Sequence, residues 1–450
     1  MRGSHQVSDI PAVRLQESAP EAVTRPGMLE RLFRLRTFDA LHSGSFRWFF
    51  ASMLAQFSSM HMQMVVNPWL VFELTGSYAL LGSIALASAV PGLILGFVGG
   101  VVADRAPKKI VIQLGQAISA VSTLAVALLL WVDMLTFTHL LALAAIQGAV
   151  FAIIGPARQA FIPEIVGPTR LTNAIALNMA GLNVTRMGVP ALGGFLIAIM
   201  GAAGVYAVMG ALILLAMVTL TPIRKYVRGP GEEVAEAPVR PAPVGGHGRI
   251  GSRGVADVID GFRYLAADRL VLSLLMVNFF IVLMSMPYMQ LMAGFVKQVL
   301  NAGPEGLGIL WSITGIGSLV GSLAIASMPN RGRGKVFIWS ALVLGFALAA
   351  FAASSWFWVS ALIMVVVGVG QAGRMSLSNI LVMHYTRPEF QGRVMSVYMM
   401  EFSLVSVGTF LVGVLAQYIG IQWAIGLTGL SLIGIAVYSL ALVPKVRDLP

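Results

Sequence analysis

Runs of about twenty or more apolar residues recur along this chain, and they decide what it can fold into. Tyr78 to Val102, Ile110 to Val132 and Val336 to Ala353 are three such blocks. At ~1.5 Å of rise per residue, each can cross the ~30 Å hydrocarbon core of a bilayer as a helix. Inside hydrocarbon every backbone N–H and C=O needs a partner within the protein. A helix satisfies them locally, and these blocks lack the polar and apolar alternation of a membrane barrel strand. The composition agrees: 57% of residues are hydrophobic and 11% charged, and the mean hydropathy is +0.84, outside the range of soluble domains.

Twelve spans are expected, near 46–72, 78–102, 110–132, 137–164, 171–198, 203–223, 268–296, 305–328, 335–353, 356–384, 391–415 and 420–443. Of the 30 Lys and Arg residues, these boundaries put 27 on the side that holds both termini. Arg186 and Arg374 fall within spans, and only Lys297 lies on the other side. By the positive-inside rule the crowded side is cytoplasmic. The +11 net charge is then a topology signal spread over short loops, which argues against a nucleic-acid partner and for a lipid bilayer. Residues 1–27 lack the apolar core of a signal peptide, so the first span should stay in the mature chain. The expected location is a bacterial-type inner or plasma membrane.

The chain divides into a tail (1–45), a six-span bundle (46–223), a linker (224–267), a second six-span bundle (268–443) and a short C-terminal tail (444–450). Met28 to Leu41 sets Leu32, Phe33, Leu35 and Phe38 against Arg31, Arg34 and Arg36, the pattern of a short interfacial helix or of a solvated basic tail. Arg224 to Gly254 is rich in Pro, Gly and charge and reads as a cytoplasmic linker. Sliding the sequence by 220 residues brings Gly148 onto Gly368, Pro168 onto Pro388, Gly188 onto Gly408 and Gly193 onto Gly413. The fold class expected is all-α, two pseudo-symmetric six-helix bundles that meet around a midplane site.

At the end of span 2 stands Gly99-Gly100-Val-Val-Ala-Asp104-Arg105-Ala-Pro107-Lys108-Lys109. It resembles the G-x-x-x-D-R-x-G-R-K loop of the major facilitator superfamily, with Pro107 in place of the second glycine and Lys108 in place of arginine. In the resemblance, Gly100, Asp104, Arg105, Lys108 and Lys109 form a gating loop; the plainer reading is a topological anchor. Physically, such cations can bind the carbonyl ends of helices. Span 5 holds Gly188-Val-Pro190-Ala-Leu-Gly193-Gly194, similar to the helix-5 motif of exporters in that superfamily. Its proline frees a carbonyl and its glycines admit a facing helix. The stretches Ser59 to Ser77, Pro156 to Pro163, Leu171 to Ala176 and Gly392 to Ser396 resemble the enterobactin-exporter-like, transmembrane secretion effector branch. The resemblance implies a secondary transporter, most specifically a proton-coupled exporter of a drug, siderophore or secondary metabolite that works by alternating access. A nutrient importer of the same fold is the nearest alternative.

Polar groups within hydrocarbon are costly, which makes them candidates for the site. Glu401 is the one acid well inside a span, and Arg374 sits at the same distance from the turn near Arg387, so an Arg374–Glu401 ion pair is expected if spans 10 and 11 are neighbours. Arg186 has no acid at its depth; it either binds an anionic or carbonyl-rich substrate or is satisfied by neighbours such as Asn178 and Asn183. His61 and Gln63 in span 1 are further coupling or binding candidates, with Gln56, Asn67, Asn278, Tyr288 and Gln290 behind them. Protons are the expected coupling ion. The chain has no Cys, no H-E-x-x-H, no G-x-S-x-G and no P-loop, so neither metal, cofactor nor enzyme is expected. A non-transporting receptor would keep the helices but not these buried polar groups.

Overall fold

The computed structural model describes residues 36–223, 263–328 and 332–449. The expected interfacial helix falls partly outside them: 28–35 is not described, and Arg36–His42 forms a 3-10 helix. Most of the linker also lies outside. The helices are α1 (Gly44–Thr75), α2 (Tyr78–Arg105), α3 (Lys108–Trp131), α4 (Phe137–Val166), α5 (Leu171–Thr219), α6 (Arg269–Ser285), α7 (Pro287–Gln298), α8 (Pro304–Ala326), α9 (Arg333–Ala353), α10 (Phe357–Tyr385), α11 (Gln391–Ile419), α12 (Ile421–Leu442) and a single turn, α13 (Pro444–Arg447). Among the described residues nine helices are long and apolar enough to cross a membrane.

Local chemistry sets the breaks. The Ser43 and Ser77 hydroxyls accept from the N–H groups of Phe46 and Leu80 at the starts of α1 and α2, and the Asp268 carboxylate accepts from Leu270 and Val271 at the start of α6, each satisfying donors a helix leaves free. The 49 residues of α5 would run ~74 Å if straight, yet both its ends lie at one end of the bundle. Arg170, beside its start, is ion-paired with Asp39 at 3.4 Å. Just past its finish, the Thr221 and Ile223 carbonyls accept from Lys109 Nζ at 2.6 and 3.2 Å. The run goes out and back, and Gly201 makes the turn at φ 71°, ψ 172°, a backbone state that a side chain would oppose. The expected span 268–296 is one candidate span, Arg269–Gln298, broken into two helices at Met286 where Pro287 starts α7.

The repeat is visible in the packing. A Cβ on Gly148 would strike the backbone of Ser88, and a Cβ on Gly368 that of Thr314, so α4 crosses α2 as α10 crosses α8. Large apolar side chains such as Val90, Ile94, Val121 and Ile199 cover the outside. Trp131, Trp356, Trp358 and Trp423 stand exposed at the helix ends remote from Lys108, Arg170 and Arg387, as expected for an interfacial aromatic belt. We call the end with those cations the basic end.

The two halves are joined by two crossings, α5 with α8 and α2 with α11. Gly308 lies on the Pro190 carbonyl and Gly194 on that of Pro304. In the second crossing Gly82 lies on Phe410, 220 positions beyond Pro190, and Gly413 on the Tyr78 carbonyl. Both seams lie toward the end opposite the basic one. There Tyr78 donates its N–H to Gln417 at 3.0 Å and its hydroxyl to Gln298 at 2.8 Å. Lys297 stands 3.9 Å from Glu73 and 5.5 Å from the centre of the Trp69 ring.

Candidate functional site

A cavity of about 160 Å³ begins where the α5–α8 seam ends, lined by Asn183, Arg186 and Met187 of α5, Gly315, Ser318 and Ser322 of α8, and Gln371 and Met375 of α10. Both halves therefore wall it, and it lies on the basic-end side of the seam. Pro190 has no N–H for the carbonyl of Arg186, one turn earlier. That carbonyl faces Gly315, where a Cβ would come within 3.5 Å. The Ala191 N–H donates across the seam to Ser312 Oγ at 3.1 Å. The helix-5 motif is thus used for contact between halves: Gly194 and the Pro190 carbonyl meet α8, Gly193 lies against Met62 of α1, and Gly188 faces open space.

The second part of the site is buried in the C-terminal half. The expected Arg374–Glu401 ion pair is not direct. Asn278 of α6 bridges the two: its amide N–H donates to Glu401 at 2.5 Å, and its carbonyl oxygen accepts from Arg374 Nη1 at 3.4 Å. Gln371 accepts from Arg374 Nε at 3.4 Å, and the Ser378 and Tyr398 hydroxyls share a hydrogen bond of 2.8 Å beside them. Arg374 is fully buried and Glu401 is 5% exposed. The correction has a packing cause: α10 and α11 scarcely touch, and both pack on α6. Arg374 Nη2 and the Tyr288 hydroxyl are buried without a hydrogen-bond partner. Two charged groups and several polar ones in the dry interior cost folding energy unless they do something.

Arg186 makes no hydrogen bond or ion pair among the described residues and borders the cavity, with His61 and Tyr288 both within electrostatic range of it. His61 is 3% exposed, its ring 6.4 Å from that of Phe57. Gln63 is partly exposed, and the buried Asn178 carbonyl oxygen lacks a partner; neither lines the cavity. Arg158 lies inside α4 with its guanidinium 5.7 Å from the centre of the Phe57 ring.

Gly100, Asp104 and Arg105, expected in a loop, fall in the last turns of α2, and the side chains of Asp104 and Arg105 lie outside the described residues. Lys108 is ion-paired with Glu164 of α4 at 2.6 Å, and Lys109 holds the carbonyls that follow α5. Both lysines act within the N-terminal half. Gln371, Tyr398 and Glu164 were missed by sequence reasoning. The first two were findable as helical neighbours, three residues from Arg374 and Glu401; the contact with Glu164 carries no such periodic signal.

Two pseudo-repeated helical halves that meet at glycine seams, with a polar cavity walled by both, are the architecture of a transporter of the major facilitator type. The chain belongs to the transmembrane secretion effector family, whose model matches residues 36–449. It is 20% identical to the staphyloferrin A transporter of Staphylococcus aureus, over 86% of this chain and 93% of that protein. It is 25% identical to the multidrug efflux pump Tap of Mycolicibacterium fortuitum, over 86% of this chain and 92% of that one. In fold it is similar to a bacterial homologue of the human lysosomal transporter Spinster, solved inward-facing and unoccupied (TM-score 0.69, 16% identity, 92% of this chain and 98% of that). It is also similar to the nucleoside transporter NupG (TM-score 0.68, 14% identity, 89% and 99%). These relatives and neighbours are transporters, not enzymes.

Proposed function

We propose that this chain is a proton-coupled exporter of small molecules that crosses a bacterial-type cell membrane twelve times with both termini in the cytoplasm. The observation that carries the coupling is the Arg374–Asn278–Glu401 chain. A carboxylate that shares one bridging amide with a buried cation has two ways to be stabilised, by a proton or by the cation through Asn278, and these exclude each other in part. On this reading the basic end faces the cytoplasm and the two glycine seams close the external side. Arg186 and the free edge of Arg374 then suit an anionic or carbonyl-rich substrate. Export is favoured over import by the resemblance of the helix-5 seam to exporter motifs and by the efflux activity of the relative Tap.

The reading is tested in three steps. Reporters fused after residue 450 and within 224–254 should both signal cytoplasm; an external signal from either overturns the twelve-span topology. A thermal-shift screen of siderophores, antibiotics and dyes then selects a substrate. Everted vesicles made acid inside should accumulate it in proportion to the pH gradient. Accumulation independent of the gradient removes the proton, and accumulation only in right-side-out vesicles makes the protein an importer.

A further inference from the structure

Away from the transport cavity, a second pocket of about 660 Å³ opens at the basic end of the C-terminal half, lined by Tyr264, Asp268, Arg269, Leu270, Arg387, Lys445 and Leu449 among others. Its three cations come from three separate segments: the start of α6, the turn between α10 and α11, and α13. None of these three side chains makes a hydrogen bond or ion pair among the described residues. Two acids nearby are engaged, while Glu389, in the same turn as Arg387, stands exposed. Asp268 accepts from Leu270 and Val271 with one oxygen and from the Tyr264 hydroxyl with the other. Asp448 is held by Arg447 at 2.8 and 2.9 Å, which keeps its carboxyl below the usual carboxylate range.

The walls are fixed. The Tyr264 ring stacks on Phe390 with centroids 4.4 Å apart, and its hydroxyl accepts from the Arg387 N–H at 3.4 Å. The C-terminal tail is docked, with Val446 fully buried and the Leu449 carbonyl accepting from the Gly334 N–H at 3.3 Å. Three cations, outnumbering the one carboxylate that lines the pocket with them, beside the apolar Leu270 and Leu449 and at the depth where the helices end, match an anionic headgroup with the start of its acyl chains.

We infer that Arg269, Arg387 and Lys445 form a binding site for the phosphate of an anionic phospholipid headgroup. The test is thermal melting of the purified full-length protein with phosphatidylglycerol, phosphatidylcholine or inorganic phosphate alone. Phosphatidylglycerol should raise the melting temperature saturably, phosphatidylcholine should not, and the apparent affinity should fall on the order of tenfold or more in the R387Q/K445Q double variant. Arg47→Gln, an exposed basic residue of the other half, should leave the lipid response unchanged. If R387Q/K445Q folds poorly, Lys445→Gln alone, on the exposed tail, should still weaken binding severalfold. An equal loss in Arg47→Gln would reduce the effect to general surface charge. An equal response to inorganic phosphate would make this a soluble-anion site, and no response to phosphatidylglycerol would remove the site. Each of these overturns the inference.

Discussion

Away from Arg186 and His61, the N-terminal half is knit by a network of neutral groups: Gln116 donates to Ser52 at 3.5 Å, Ser119 donates to Gln147 at 3.0 Å, and Gln147 donates to Thr123 at 3.3 Å. The C-terminal half buries a carboxylate and a guanidinium at the equivalent depth, linked by one asparagine. The backbone crossings are repeated between the halves, down to Gly148 on Ser88 and Gly368 on Thr314, so the difference lies in side-chain chemistry and not in architecture. Amides and hydroxyls hold one arrangement whatever the pH, whereas a carboxylate within reach of a bridged cation has two protonation states to respond with. We propose a scaffold role for the neutral network and a switching role for the carboxylate.

The largest effect should come from the switching centre. Glu401→Gln keeps the shape and the hydrogen bond to Asn278 but removes the titration, and should abolish gradient-driven accumulation in everted vesicles while downhill exchange survives. If the variant instead melts lower and its remaining transport keeps the wild-type pH profile, the centre is structural and the contrast between halves fails. Arg374→Leu should destabilise the protein by about 3–5 kcal/mol, as expected when one member of a buried charged set is removed; the urea midpoint in detergent measures it, and a change under 1 kcal/mol would mean that Glu401 needs no partner.

The seams give the next effect. Gly308→Val places methyl groups on the Pro190 carbonyl and should force the external side open. The chain has no Cys, so a single cysteine introduced at Tyr288, buried in this state, should be labelled several times faster when Gly308→Val is added, and unchanged labelling would deny the seam its sealing role. The smallest effect belongs to the neutral centre: Gln116→Ala should cost about 1 kcal/mol and leave the pH dependence of transport as it is. A shifted pH profile there would erase the contrast.

Much of this was readable in the sequence because hydrocarbon imposes a coarse rule. The apolar runs gave the helices of both halves, and the 220-residue slide placed Gly148 and Gly368 at equivalent crossings. The depth arithmetic for Arg374 and Glu401 was sound as a height. It failed as a contact because counting along two helices fixes their level and not their azimuth, and α6 stands between them with Asn278. The break before Pro287 was missed because a proline inside a long apolar run does not announce whether it kinks a helix or starts a new one. Lys108 found Glu164 at the far end of a neighbouring helix, a pairing set by tertiary packing alone.

The central claim is that Glu401 couples protonation to the exchange between states, and the distance between the halves at the basic end reports it directly. Spin labels at Thr172→Cys and Glu389→Cys, exposed positions beside the starts of α5 and α11, read that distance by double electron–electron resonance. The account predicts that the distribution in reconstituted protein shifts between a wide and a narrow population as pH is varied from 5 to 9, and that Glu401→Gln holds one population across the whole range. A Glu401→Gln protein that still shifts with pH as the parent does would contradict it.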